Sequence, residues 1–167
     1  MAETNLRKYA VIEKLNKMDV DLIDVDLVTA TAAIGDNEMI SDYVEIANAV
    51  AVNAGTSLLH SIILIDDGDQ AKAMDLVFAT ANTSLGTLNE VVSGADSVAA
   101  NILGVVSISS YFDGVAWQLA TKTNIGLVLK AAASTKSIYV AAVNRSGGDA
   151  DYVATDDLHL RLGIIKD

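Results

Sequence analysis

The sequence predicts an all-β fold, an antiparallel β-sandwich with a jelly-roll-like arrangement, one short helix and an N-terminal arm. Apolar and polar residues alternate with period two in many short stretches. Gly, Asp, Asn and Ser interrupt these stretches at short intervals, which is typical of antiparallel sandwiches and not of βαβ units. Apolar residues make up 51% of the chain but aromatic residues only 5%, a composition that suits closely packed sheets better than deep ligand pockets.

The alternation predicts nine strands in chain order. They are expected at 23–30, 43–52, 57–65, 74–78, 105–109, 115–119, 124–129, 137–143 and 158–165. The stretch 57–65 is apolar at both odd and even positions, which predicts a central strand covered on both faces. Its odd positions, such as Leu59 and Ile63, are expected on one face, and its even positions, such as His60 and Ile62, on the other.

The helix of the body is expected at 93–103. Asp96 or Ser93 is the candidate N-cap, and Val98, Ile102 and Leu103 are expected to face inward. A second stretch, 4–17, is predicted either as a short amphipathic helix or as a flexible or extended arm.

Positive charge is concentrated at the start of the chain. Arg7, Lys8, Lys14 and Lys17 are four of the eleven basic residues, in a chain whose net charge is −11. The remainder is strongly acidic. This contrast predicts two parts, a basic arm at 1–19 and a β-sandwich domain at 20–167, and it favours a protein that docks onto a partner over one that transforms a small molecule.

The composition also argues against several classes of function. The chain has no cysteine, which excludes disulfides, thiolate zinc sites and thiol catalysis. The net charge of −11 argues against nucleic acid as the main partner. The apolar runs are too short to span a bilayer, and the N-terminus lacks an apolar core and cleavage site of a signal peptide. We therefore expect no membrane partner and synthesis without passage through the general secretory route.

The few candidate metal ligands have ordinary structural interpretations. Asp66, Asp67 and Asp69 do not have EF-hand spacing, so a solvated hairpin turn is expected there. His60 is expected to lie in the core or an interface, and His159 to face solvent beside Arg161. Neither histidine has a neighbouring His or Cys at metal-binding spacing, so we expect no metal and no cofactor.

Catalytic and aromatic binding sites are also not indicated. The chain has no G-x-S-x-G nucleophile elbow and no phosphate-binding glycine loop. Asp24 and Asp26 alternate along a strand and are expected to be solubilising charges on its outer face. Trp117, with Val115 and Leu119, is expected in the core.

The body resembles a family of small tailed-bacteriophage virion proteins, those that decorate or cement the capsid. The resemblance covers roughly 22–167 and is one of pattern. Three features are the clearest: an alternating strand that runs into a Gly-Asp turn at 29–36, an apolar strand that ends in an acidic turn at 58–66, and a closing alternation at 157–163. The other segments that carry the resemblance are 75–78, 92–96, 102–106 and 137–143.

The resemblance implies a non-enzymatic structural protein on the exterior of a phage head. Its partners would be the major capsid protein and further copies of itself, as a dimer or trimer, and it would be made in the host cytoplasm. The family does not account for the basic arm. As a hypothesis from the residues, the arm contacts the shell through its basic residues and one tyrosine: Arg7, Lys8, Tyr9, Lys14 and Lys17.

Two other functions stay open on the residues alone. A carbohydrate- or receptor-binding module of a phage tail or fibre would need an exposed aromatic cluster, for which Tyr111, Phe112 and Trp117 are the candidates. A hydrolase on a jelly-roll scaffold would need metal-dependent turnover through His60 or His159.

Overall fold

A computed structural model of the protein describes residues 19–166. The arm residues Arg7, Lys8, Tyr9, Lys14 and Lys17 lie outside the described residues. The described part contains nine strands and one helix: β1 (Asp19–Leu27), β2 (Met39–Ile46), β3 (Thr56–Asp66), β4 (Met74–Ala79), α1 (Asp96–Ala99), β5 (Ile102–Ile108), β6 (Phe112–Asp113), β7 (Gln118–Lys130), β8 (Ile138–Asn144) and β9 (Leu158–Lys166). No helix among these residues has the length and apolar character to cross a membrane.

The strands form two antiparallel sheets. The five-stranded sheet has the order β1-β9-β3-β7-β6, and the four-stranded sheet has the order β2-β8-β4-β5. The pairs are nested, with β1 on β9, β2 on β8, β3 on β7, and β4 on β5. This is the arrangement of a long antiparallel hairpin rolled into two sheets, the jelly roll. The all-β sandwich predicted from the sequence is confirmed.

The main hydrophobic core lies between the two sheets. Leu27, Leu64 and Leu160 project into it from the five-stranded sheet, and Phe78 and Val140 from the four-stranded sheet; all five are at most 1% exposed. Alternate residues of each strand therefore supply the core, as the period-two pattern requires.

A second, smaller core covers the other side of the four-stranded sheet. Val77 and Ala141 face outward from β4 and β8 and pack with Leu85 and Val98. Leu85 and Val98 belong to the connection between β4 and β5. The four-stranded sheet is thus covered on both sides at this place.

A β-bulge in β3 determines the two faces of the five-stranded sheet. Leu59 pairs with Ile164 and Ser61 pairs with Gly163, so His60 is an extra residue without a partner in this register. The bulge keeps Leu59, Ile62 and Leu64 together in the core. The face assignment expected from strict alternation was wrong for this reason, because one inserted residue reverses the side of every residue beyond it.

The helix and several strand boundaries differ from the expectation. Helix α1 has only four residues, and Ala95 occupies its N-cap position, so no side chain caps the helix. Neither Ser93 nor Asp96 is therefore the N-cap. Ile102 and Leu103 belong to β5 instead, which pairs with β4. The run at 102–108 is rich in apolar and β-branched residues, and such residues are more stable in a paired strand than in an extended helix.

Deleting His60 is predicted to abolish cooperative folding or to lower the free energy of unfolding by about 4 kcal/mol or more. The deletion moves one half of β3 to the wrong face, and each core side chain lost costs roughly 2–5 kcal/mol. His60→Ala, which keeps the bulge, should stay within about 0.5 kcal/mol of the wild type. Chemical denaturation measures both; similar losses for the two variants would contradict the register.

Candidate functional site

The outer face of the five-stranded sheet carries an ordered set of residues, most of which are exposed or half-buried. The registers place them in four rows across the strands. From the start of β1 these rows are Val20–Ile165–Leu58–Val128, Leu22–Gly163–Ser61–Thr123, Asp24–Arg161–Ile63–Thr121 and Asp26–His159–Ile65–Leu119–Phe112. The face is therefore apolar at one end and charged at the other. We call the first of these rows the apolar row.

The apolar row is open to solvent within the described residues. Val20 is 68% exposed and Val128 is 58% exposed, while Leu58 and Ile165 between them are half-buried. Leu22 in the next row is 61% exposed. The sequence predicted that β3 would be central and covered on both faces. It is central, but its outer side chains are only half-buried. A contiguous apolar patch of this kind is typical of an interaction surface.

The opposite end of the face is held by ion pairs between β1 and β9. The Arg161 Nε lies 2.8 Å from the Asp24 Oδ1. The His159 Nδ1 lies 2.7 Å from the Asp26 Oδ1, and its Nε2 lies 3.3 Å from the Asp67 Oδ2. Asp24 and Asp26 are therefore on the outer face, as expected, and they are paired rather than free.

Both nitrogens of the His159 ring thus face carboxylates. The hydrogen bond with Asp26 raises the pKa of His159, and the charges of Asp26, Asp67 and Asp156 add to this, while partial burial opposes it. As expected from the sequence, His159 shares the outer face with Arg161. An open depression of about 480 Å³ lies over this end, lined in part by His159 and Arg161.

The hairpin tip at 112–117 is a second exposed apolar feature, at the β6 edge of the same sheet. Val115 is 88% exposed, Phe112 65% and Trp117 39%. The expectation that Trp117 and Val115 lie in the core was wrong. Alternation placed them on one side of a strand, but the strand β7 begins only at Gln118.

The backbone of the hairpin tip is tightly constrained. Val115 has a φ of 75°, which is strained for a β-branched residue. Its N–H donates to the Asp113 Oδ1 at 2.8 Å. Gly114 lies against the indole, where an added Cβ would collide with the ring of Trp117. The rings of Phe112 and Trp117 are 6.0 Å apart and inclined at 38°, so the tip holds its apolar side chains in place.

Tyr111 does not join this exposed cluster. It is half-buried and packs against the main core. Its hydroxyl donates to the carbonyl oxygen of Lys72 at 2.7 Å. Of the three aromatic candidates from the sequence, the structure brings only Phe112 and Trp117 together at the surface.

The acidic turn after β3 has a structural role. Asp66 is fully buried, so the expected solvated turn was wrong at this residue. Its Oδ2 accepts hydrogen bonds from the backbone N–H groups of Gln70 and Ala71, at 3.1 and 2.8 Å. Burial raises the pKa of Asp66. The carboxylate organises the turn through its backbone, a use that spacing alone did not indicate.

The two histidines occupy different places in the fold. His60 is exposed in the bulge of β3, so of the two expected positions the core is wrong, and a position in an interface stays a prediction. His159 lies on β9 at the charged end. In the part of the chain that the structure describes, no group of three or more His, Asp or Glu residues is placed to hold a metal ion.

Comparison with known proteins adds little about function. No protein-family model and no curated protein matches this chain. Among solved structures, the chain is similar to one from the capsid of Ralstonia phage GP4, with 17% identity, 90% of this chain and 85% of that chain covered, and a TM-score of 0.37. It is similar to a chain of tomato aspermy virus, with 11% identity, coverage of 89% and 76%, and a TM-score of 0.42.

A bacterial domain is similar to a comparable degree. It is the K3 cleaved adhesin domain of Lys-gingipain from Porphyromonas gingivalis, with 13% identity, coverage of 87% and 90%, and a TM-score of 0.30. These TM-scores are low, so the similarities carry no argument about the function of this chain.

His159→Gln is predicted to destabilise the fold at acidic pH more than at alkaline pH. Because the pKa of His159 is raised in the folded state, its contribution is complete below 6.5, the ordinary value, and is lost as the pH rises through the folded-state pKa. The free energy of unfolding should therefore fall more at about pH 5.5 than at about pH 9. His60→Gln is the control. An equal loss at both pH values would show that the ion pairs of His159 do not stabilise the fold.

Proposed function

We propose that this protein is a non-enzymatic structural component of a tailed-phage virion. It decorates or cements the exterior of the capsid through its N-terminal arm and the base of the sandwich. The observation that carries this proposal is the exposed outer face of the five-stranded sheet, with its apolar row and the hairpin tip at its edge. In this account the surface of the sandwich, and not a pocket, performs the function.

The fold and the sequence resemblance support the same proposal. Jelly rolls recur in viral capsid proteins as well as in lectins, which is an argument by analogy of fold alone. The resemblance of 22–167 to small phage virion proteins points to the first of these two groups.

The net charge supports a position on the outside of a phage head. A shell filled with DNA is negative inside, so a chain of net charge −11 is better accommodated on the exterior. The basic residues Arg7, Lys8, Lys14 and Lys17, with Tyr9 among them, then contact an acidic surface of the major capsid protein. Many copies repeat this contact around the shell, so each contact can be weak. The protein assembles there as a dimer or trimer.

Cosedimentation with empty phage heads that lack the protein tests this function. We expect saturable binding that weakens at high salt. Full-length protein with Arg7, Lys8, Lys14 and Lys17 changed to serine should bind about fourfold or more weakly, because four ion pairs at the surface of the shell contribute roughly 0.2–1 kcal/mol each. Lys122→Ser with Lys136→Ser, which removes exposed cations of the body that do not lie on the outer face of the five-stranded sheet, is the matched control.

The outcomes separate the parts of the proposal. If the arm substitutions do not change binding, the virion role still holds, but the contact with the shell is made by the sandwich. Failure to bind any head at either salt concentration would overturn the decoration proposal.

A second candidate is a receptor-binding module of a phage tail or fibre, which the exposed hairpin tip favours. Gly114 lies against the indole of Trp117, so the ring has less free surface for stacking on a sugar than a typical platform. Phe112 and Val115 are the side chains that the tip presents, and such side chains fit an apolar pocket of a protein receptor better than a glycan.

Host-cell binding by the purified protein tests the second candidate. Phe112→Ala with Val115→Ser should abolish saturable binding while leaving the thermal midpoint within a few degrees, since both residues are exposed. Val52→Ser, at a position 61% exposed, is the control. Binding that survives the tip substitutions would exclude this role for the tip.

A further inference from the structure

The apolar row lies beside the point where the described chain begins. Val20, the first member of the row, is the second residue of β1, and residues 1–18 directly precede this strand. The row crosses four strands through Ile165, Leu58 and Val128. Adjacent strands are about 4.8 Å apart, so the row is only about 15 Å long. A segment tethered at its β1 end can reach all of it.

Residues 1–18 have the length to cover this row. As a helix they would span about 27 Å, and as an extended chain roughly 59 Å. Either length allows the chain to turn back after Met18 and to cross the row.

The composition of the segment matches the surface. It carries apolar side chains to place on the row, among them Leu6, Val11, Ile12 and Leu15. The carboxylates of β1 already have partners, since Asp21 pairs with Lys166, Asp24 with Arg161 and Asp26 with His159. Apolar contact, and not ion pairing, is therefore what the segment offers the row.

A second copy of the chain is a poorer occupant of the same face. Two copies packed face to face would each bring a net charge of −11, and like net charges oppose such a pair. A tethered segment needs no partner, because its effective concentration at the row is in the millimolar range.

We propose that residues 1–18 fold back over the apolar row of the same chain. The apolar side chains of the segment cover Val20, Leu58, Val128 and Ile165. The proposal does not depend on the virion role. If both hold, the row anchors the arm while its cations contact the shell.

The absence of cysteine makes a direct test possible. A single cysteine is introduced into the full-length chain at Val128, which is 58% exposed in the described structure, or as a control at Val52, which is 61% exposed. The rate of maleimide labelling is measured for each. The same two proteins are then made with Ile12→Asp and Leu15→Asp, which weaken the apolar side of the segment. Lys14→Ser with Lys17→Ser is the matched control within the segment.

We expect Val128→Cys to label about tenfold more slowly with the natural segment than with the aspartate substitutions, which corresponds to coverage in about nine molecules in ten. The rate at Val52→Cys should be unchanged, and the slowing should not depend on protein concentration. Val20→Cys serves as a second probe if the first variant does not fold, as judged by circular dichroism.

Two results would overturn the proposal. In the first, the cysteine at position 128 is labelled at the same rate with the natural segment and with the aspartate substitutions. In the second, protection survives the aspartate substitutions and grows with protein concentration, which would identify a second copy as the occupant. Neither result bears on binding to phage heads, so the proposed function stands or falls separately.

Discussion

The bulge at His60 is the constraint on which the exposed surface of the molecule depends. It lies in β3, the central strand of the larger sheet, and it shifts the register against both neighbours. Leu59, Ile62 and Leu64 then fill the core together. Leu58 and Ile63 are turned to the other side, which is why the outer face is apolar although it is half open to solvent.

The rest of the surface follows from this division of side chains. A strand apolar on both sides usually lies under cover on both faces, yet within the described residues the outer face of β3 is only half-buried. The nested pairing puts β1 at one edge of that sheet and the hairpin tip at the other. One surface thus combines an apolar row, paired charges and an exposed aromatic tip, and it lies next to the basic start of the chain. Apolar and aromatic side chains beside charged ones are typical of surfaces that bind other proteins.

The overall fold could be predicted from the sequence because it depends on local patterns. Period-two alternation and regular turn residues indicate strands without knowledge of their partners. The bulge was not predictable, because alternation assigns faces by counting and His60 adds one residue to the count. The position of Trp117 was predicted wrongly for a different reason. Alternation groups Val115, Trp117 and Leu119 on one side of a strand, but it does not indicate whether that side faces the core or the solvent. Buried Asp66 was missed because its bonds are to backbone N–H groups, which no side-chain motif records.

A cryo-EM reconstruction of phage heads incubated with the full-length protein tests the central claim most directly. The account predicts that the outer face of the five-stranded sheet is turned toward the shell, with residues 1–18 between them, and that the four-stranded sheet faces solvent. Density with the five-stranded sheet turned to solvent, or no density for the protein on the head, would contradict it.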